Sequence, residues 1–403
     1  MGVGQLPTTE FNDEELDDHP ESHQDPASEP AGGDMVQLLD AQGNRREDPV
    51  FGPYVESLDA EALRAFYRDM AVVRRFDQEA TALQRQGQLA LWVPLTGQEA
   101  AQIGSGHALR SEDFVFPSYR EHGVALSRGL DMADLLRIFR GVTHGGWDPR
   151  EKNFNIYTLV LAAQVLHAVG YAMGIQRDQQ SAQAKGQATE DAAVVAYYGD
   201  GASSEGDVHE AMVFASSYKA PVVFFCQNNH WAISVPSKVQ TKVPLAHRAQ
   251  GYGFPGIRVD GNDVLAVHAV TQWALDRARN GEGPVLIEAF TYRLGAHTTA
   301  DDPTKYRTSS EEDQWRAKDP LARLETYLRA EGHADDAFFE DVKRQGQELA
   351  DAVRLAVQSM EGPSMEEAFA HVYAQAHPLV QEELRWYREY EAGFENADDA
   401  GEG

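Results

Sequence analysis

Two short apolar runs, Ala192–Tyr198 and Pro221–Gln227, organise the hydrophobic pattern of this chain. Both are rich in Val, Phe and Tyr, and at this length a continuous apolar run fits a strand buried on both faces. Between them, Glu205–Tyr218 sets His209, Met212, Val213 and Ser216 at helical intervals, enough chain for the right-handed crossover that parallel strands require. The stretch predicts one βαβ unit. Upstream, Leu63, Phe66, Tyr67, Met70, Val73, Phe76, Ala80 and Leu83 fall on a single helical stripe, with Asp59 as N-cap and Gly87 as stop. Gly97-Gln98-Glu99-Ala100-Ala101 opens a second helix, and Phe114–Phe116 is a short strand leading to Tyr119-Arg120. Leu159–Ile175 reads as a buried helix or strand–helix join, with Leu161 and His167 as core. Gly256–Gly261 and Pro284–Thr291 add two strands, with Asp263–Asn280 as the helix between them. Beyond Glu311 the pattern is helical over Asp313–Lys318, Pro320–Glu331, Asp335–Met360, Ser364–Gln375 and Val380–Gly393. Trp386, Tyr387 and Tyr390 cluster there as an interface patch or a core edge.

Ligands of open α/β sheets sit beyond the carboxyl ends of the strands, so the residues that follow each run carry the chemistry. Gly199-Asp200-Gly201 follows the first run, and Asn228-Asn229 the second. Neighbouring strands lie about 4.8 Å apart, so Asp200 and Asn229 can reach one cation whose oxygen ligands stand at roughly 2.1 Å. A magnesium ion held so sparsely completes its octahedron with waters and substrate phosphates. Gly199 and Gly201 let backbone N–H groups approach a phosphate with no side chain in between. Beyond the Pro284–Thr291 strand, His297 stands where proton work is done, and its unperturbed pKa lies near neutrality. An arginine just past a strand end, as Arg120 is, can fork onto phosphate oxygens.

Taken together, GDGASSEGDVHEA and FFCQNNHWAIS resemble the thiamin-diphosphate motif of the alpha subunit of 2-oxo acid dehydrogenase decarboxylating components. The likeness runs from about Gln37 to Gly393 and is nearest to the branched-chain enzymes, with the pyruvate enzymes next. It implies the thiamin-diphosphate-binding α/β fold, a parallel sheet flanked by helices. It also implies roles: Asp200, Asn229 and the backbone carbonyl of Trp231 on magnesium, and Tyr119, Arg120, Gly199, Gly201, Ala202 and Gln227 around the diphosphate. Leu161 would wedge under the bent cofactor, and His297 would act near the phosphates and the substrate, with Arg293, Asp301 and Asp302 in register. Gln227 replaces an arginine of some relatives, Trp231 a tyrosine, and Leu159 a serine that touches the cofactor. Some relatives have a phosphorylated serine at the place of Thr298, and threonine keeps that modification open. The reaction implied is attack of the cofactor carbanion on a 2-oxo acid, loss of carbon dioxide and transfer of the acyl group to a lipoyl arm of an acyltransferase component. The family takes a further glutamate from a separate beta subunit, and this chain has no second thiamin-type domain to supply it. The expectation is an α2β2 heterotetramer acting on branched-chain 2-oxo acids; a pyruvate or acetoin dehydrogenase subunit and a non-catalytic scaffold are the alternatives.

Composition narrows the setting. The 403 residues allow two or three domains. They divide as an acidic disordered arm (1–36), the cofactor-binding α/β domain (37–310), a helical C-terminal region (311–393) and an acidic tail (394–403). The arm holds ten acidic residues before Met35 and no Lys or Arg, too little apolar surface to order itself. The net charge of −29 argues against nucleic acid and anionic membranes as partners. With no bilayer-length apolar run, no secretory start and Cys226 as the single cysteine, the expected setting is a soluble protein of the reducing cytoplasm. Other chemistries drop out: Val213 stands where a zinc-protease helix starting at His209-Glu210 needs its second histidine. Gly251–Gly256 matches a dinucleotide-binding glycine pattern, but no strand precedes it and Pro255 interrupts it. HGGWDPREKN, within the loop 141–155, departs from the family.

Overall fold

Alternation along the strands explains the layers. In the computed structural model, which describes residues 35–399 except 144, 190 and 363, the strands of the main sheet are β1 (Phe114–Phe116), β2 (Val194–Gly199), β3 (Val222–Asn228), β4 (Gly256–Asp260) and β5 (Val285–Phe290). They pair in the order β1-β2-β3-β5-β4, all parallel. Successive side chains point to opposite faces. Val195, Tyr197, Val223, Phe225 and Ile287 accordingly join one core with helices Ala60–Arg85, Glu99–Ala108 and Val264–Arg279. Val194, Ala196, Tyr198, Val222, Phe224 and Cys226 join another with helices Ala163–Ala184 and Gly206–Tyr218. Cys226 is fully buried, and burial pushes its thiol well up, as expected of a small hydrophobe. The described residues from Met35 on form one compact unit, and among them no helix is long and apolar enough to cross a membrane.

The Asp59 cap accepts from Ala62 N at 2.8 Å, and all eight residues of the expected stripe on Ala60–Arg85 are buried. Asp263 caps Val264–Arg279 through Leu265 N and Ala266 N, and its other oxygen accepts from Leu38 N at 2.6 Å and Leu39 N at 2.5 Å, tying the start of the described chain to the sheet edge. The loop 141–155 has a structural part: Phe154 bridges Val115 in parallel, and Trp147 Nε1 donates to Phe154 O at 2.8 Å, so the loop extends the β1 edge. Residues 1–34 of the expected arm and 400–403 of the expected tail lie outside the described residues.

Four expectations are corrected. The crossover helix buries Val208, Ala211, Met212 and Ala215, whereas Val213 is 47% exposed; the inward stripe is one position off the expected one, because small alanines line the close approach to Ala163–Ala184. Leu159–Ile175 is not buried throughout: the helix begins at Ala163, Leu159, Val160 and Leu161 stand exposed in the preceding loop, and His167 points to solvent. The helix expected over Asp313–Lys318 starts at Ser309, where Thr308 accepts from Glu311 N, and that over Ser364–Gln375 stops at Ala370. The last helix, Pro378–Asp399, runs past Gly393, and Trp386 and Tyr390 are exposed on it, so they do not form a core edge.

Candidate functional site

The carboxyl ends of β2, β3 and β5 stand level, with Gly199 beside Gln227 and Asn228 beside Phe290. Above them opens a cavity of about 420 Å³. Tyr119, Arg120, Leu161, Gly199, Asp200, Gly201, Ala202, Gln227, Asn229, Trp231 and His297 all line it. These are the residues given cofactor, metal or catalytic roles; of those named in register with His297, Arg293 and Asp301 bond to it from behind the wall, whereas Asp302 is exposed and caps a turn through Thr304 N. A Cβ on Gly201 would lie 2.8 Å from the Ala232 side chain, whereas one on Gly199 would meet nothing within 4 Å. Backbone strain gathers at the same place: Ala162, His230 and Ile233 hold positive φ of 67°, 73° and 56°.

Asp200 is buried, and its Oδ1 accepts from Asn229 N at 3.2 Å, while Oδ2 has no partner. Burial pushes its carboxyl up to about 6, the mark of a buried anion short of a cation or donors. Asn229 Oδ1 accepts from Trp231 N at 3.3 Å, and the Trp231 carbonyl accepts from Arg293 Nη1 at 3.1 Å. Each of these oxygens keeps a second lone pair. An orphaned carboxylate oxygen, an amide oxygen and a carbonyl on one wall match the oxygen donors a magnesium ion takes.

Arg120 departs from the open fork expected of it. Its Nη1 donates to the Pro94 carbonyl, and its Nη2 donates to His297 O at 3.0 Å and lies 3.3 Å from His297 Nδ1. A buried guanidinium satisfies its donors on the nearest carbonyls, and here these belong to the protein. Arg293 Nη1 also approaches His297 Nδ1, at 3.2 Å. Both arginines are donors only, so Nδ1 is the acceptor and the ring proton sits on Nε2. Burial and the two guanidiniums hold His297 down to about 3. At neutral pH it is therefore a neutral N–H donor. Its own backbone N donates to Asp301 Oδ2 at 2.8 Å, and Tyr306 OH, which reaches the same oxygen, accepts from Arg293 at 2.9 Å.

Gln227 is spent within the wall: Nε2 donates to Glu121 Oε1 at 2.7 Å, and Oε1 accepts from Gln102 at 3.1 Å. Leu161 lines the cavity from a half-exposed loop and is not core. Gln98, Glu121 and Gln164 also line the cavity, all buried, and were not read from the sequence as site residues. Gln98 Nε2 and Gln164 Oε1 have no hydrogen-bond partner. Gln98 was legible only as the opening of a helix, and Glu121 and Gln164 gave no signal.

The family profile described as "Dehydrogenase E1 component" matches residues 67–365. The chain is similar to the 3-methyl-2-oxobutanoate dehydrogenase subunit alpha of Mycobacterium tuberculosis, 47% identical over 82% of this chain and 89% of the relative. It is also similar to the pyruvate dehydrogenase E1 component subunit alpha of Staphylococcus epidermidis, 39% identical over 89% of this chain and 94% of the relative. The Staphylococcus aureus protein of that name is 37% identical over the same shares.

Proposed function

We propose, from the premise that the chain belongs to the dehydrogenase E1 component family, that it is the alpha subunit of an enzyme that decarboxylates branched-chain 2-oxo acids and passes the acyl group to a lipoyl arm of an acyltransferase partner. The observation that carries this is one cavity collecting an orphaned buried carboxylate, an amide oxygen, a glycine-lined backbone and a neutral histidine donor. The choice of the branched-chain substrate follows the name of the relative at 47% identity.

The chemistry supplied by thiamin diphosphate, when bound, is a carbanion that the protein only has to position. Asp200 Oδ2, Asn229 Oδ1 and the Trp231 carbonyl would hold magnesium. Gly199, Gly201 and Ala202 would bring backbone N–H groups to the diphosphate, with Tyr119 and the charge of Arg120 close by. Arg120 would act through His297, orienting the ring so that Nε2–H faces the cavity. That proton serves as a hydrogen-bond donor to a substrate oxygen that gains negative charge. Trp231, Ile233 and Leu161 line the space and, once a partner covers them, would help to exclude water.

Two features support a beta partner. Asp200 and Glu121 are the carboxylates among the described residues lining the cavity, and Glu121 already accepts from Gln227 and from Ser118 Oγ at 3.0 Å. Among the described lining residues Glu121 is the one glutamate, and both of its oxygens are engaged within the wall. The rim is apolar and open, with Leu159 60%, Val160 71% and Ile233 55% exposed, a surface that suits a second subunit. We expect an α2β2 assembly in the cytoplasm.

The test compares kcat/KM for 3-methyl-2-oxobutanoate and for pyruvate, using the chain co-purified with its beta partner, thiamin diphosphate, magnesium and an artificial electron acceptor. A preference of about tenfold or more for the branched acid, worth ~1.4 kcal/mol at the transition state, supports the proposal. The reverse preference would make it a pyruvate dehydrogenase subunit with the same site.

A further inference from the structure

An asparagine helps a cation only when its oxygen, and not its NH2 group, faces the ion. The two ends of the side chain are nearly equal in size, so the orientation has to be imposed by neighbours. At Asn229 two neighbours impose it. Trp231 N, which can only donate, sits 3.3 Å from Oδ1, and Gln98 Oε1 accepts from Nδ2 at 3.1 Å. Were Gln98 turned over, its own NH2 would face that of Asn229, donor against donor, so the pair locks in one sense.

The backbone of Gln98 is held as firmly as its side chain. Gly97 lies at φ +101°, and a Cβ there would stand 2.1 Å from the Tyr292 carbonyl. Thr291 Oγ1 donates to Gly97 O at 2.8 Å, and Gln98 N donates to Leu95 O at 3.0 Å. This anchors the turn to the end of β5. Gln98 itself is fully buried, and the orientation that serves Asn229 leaves its Nε2 without a partner on the cavity wall. A buried amide N–H with no acceptor is destabilising, and a bound acceptor removes that cost.

We infer that Gln98 is a positioning residue of this site. Its Oε1 turns the Asn229 oxygen toward the cation, and its Nε2–H is a donor for a phosphate oxygen of the diphosphate. The inference rests on the thiamin-diphosphate reading above and adds a residue which that reading did not include. Neighbours that orient a metal ligand are worth roughly tenfold or more in metal affinity.

The experiment uses the full chain assembled with its beta partner and titration calorimetry. Mn2+ is titrated at saturating thiamin diphosphate, and thiamin diphosphate at saturating Mn2+. Gln98→Met keeps the length and loses both functions, so both affinities fall about tenfold. Gln98→Glu keeps an acceptor for Asn229 and replaces the donor by a second acceptor. It holds Mn2+ affinity within about threefold while the diphosphate affinity falls about tenfold or more. That split is the signature, because a merely structural residue would lower both affinities together with the melting temperature. The inference is overturned if Gln98→Met binds both ligands like the wild type, or if both variants lose both ligands alike with lowered melting temperatures. If the unaltered enzyme binds neither ligand, the thiamin-diphosphate reading falls first, and the inference with it.

Discussion

Asp77 gives the sharpest test of how the fold holds the site. It lies on the helix Ala60–Arg85, is 1% exposed, and takes no part in the cavity wall. Its Oδ1 accepts from Trp92 Nε1 at 2.8 Å and Leu95 N at 3.1 Å, and its Oδ2 from Thr96 N at 3.1 Å and Thr96 Oγ1 at 2.6 Å. One carboxylate thus clamps the loop 92–96. That loop presents the Val93 carbonyl to His122 Nε2 at 2.9 Å and the Pro94 carbonyl to Arg120. Asp77→Asn keeps the shape and one oxygen, which preserves two of the four bonds. The amide nitrogen then meets Thr96 N, donor against donor, while the threonine hydroxyl can turn to accept. The loss is one charge-assisted bond and one buried N–H left unsatisfied, roughly 3–5 kcal/mol gross, offset in part because a buried charge is gone. We expect a net ~2–3 kcal/mol. Urea unfolding of the assembled enzyme at fixed concentration reads it as a lower midpoint at unchanged slope. Thiamin diphosphate affinity should fall in parallel, because the carbonyl under Arg120 moves. Thr96→Val, which removes only the hydroxyl bond, should cost about 1 kcal/mol and spare the cofactor. A change under ~0.5 kcal/mol in Asp77→Asn, with cofactor affinity intact, would refute the clamp.

Other expectations follow from the same geometry. Gly97→Ala should destabilise by ~3 kcal/mol or more in thermal unfolding, since it combines positive φ with a clash on backbone. Gly199→Ala, whose Cβ meets nothing within 4 Å, should fold normally but bind thiamin diphosphate more weakly; equal cofactor affinity would remove Gly199 from the cradle. His297→Gln should cut turnover about a hundredfold or more at unchanged melting temperature. Because His297 is held down to about 3 in the ligand-free chain, its ring resonances in that chain should show no titration above about pH 5 by NMR. His122, stacked on Trp92 and bonded to Tyr157 at 2.8 Å, is held down to about 3 by burial. The unfolded chain therefore takes up a proton below 6.5 that the folded chain refuses, and stability is lost as pH falls from 6.5 toward 3. His122→Gln should flatten the loss between pH 7 and pH 5 by ~2 kcal/mol. Asp200 and Asp263, both pushed up to about 6 by burial, work in the opposite direction and make the total slope shallower than the histidines alone would give.

The sheet and the site residues on it were legible because their signals are local. A strand buried on both faces has to be a continuous apolar run, and Asp200 and Asn229 follow such runs directly. Parallel pairing then places both at one edge. Gln98 and Glu121 in the cavity wall, and Asp77 as the clamp behind it, were not legible, because nothing in the residues around a polar side chain says whether it will be buried. Asp77 reaches the loop 92–96 across 15 to 19 positions of chain, and Gln98 reaches Asn229 across 131. Such partners are fixed by packing alone. Leu159–Leu161 shows the converse. Apolar letters there predict a core, yet the segment stands exposed at the cavity rim beside Ile233. The burial rule holds for the assembly in which a residue works, not for one chain. In the proposed α2β2 enzyme these residues would meet the beta subunit over the cofactor. If so, Leu159→Asp should leave the unfolding free energy of the isolated chain within ~0.5 kcal/mol of the wild type, because the site is exposed, while weakening co-purification with the partner. Co-purification at wild-type yield would mean that the rim is not where the subunits join.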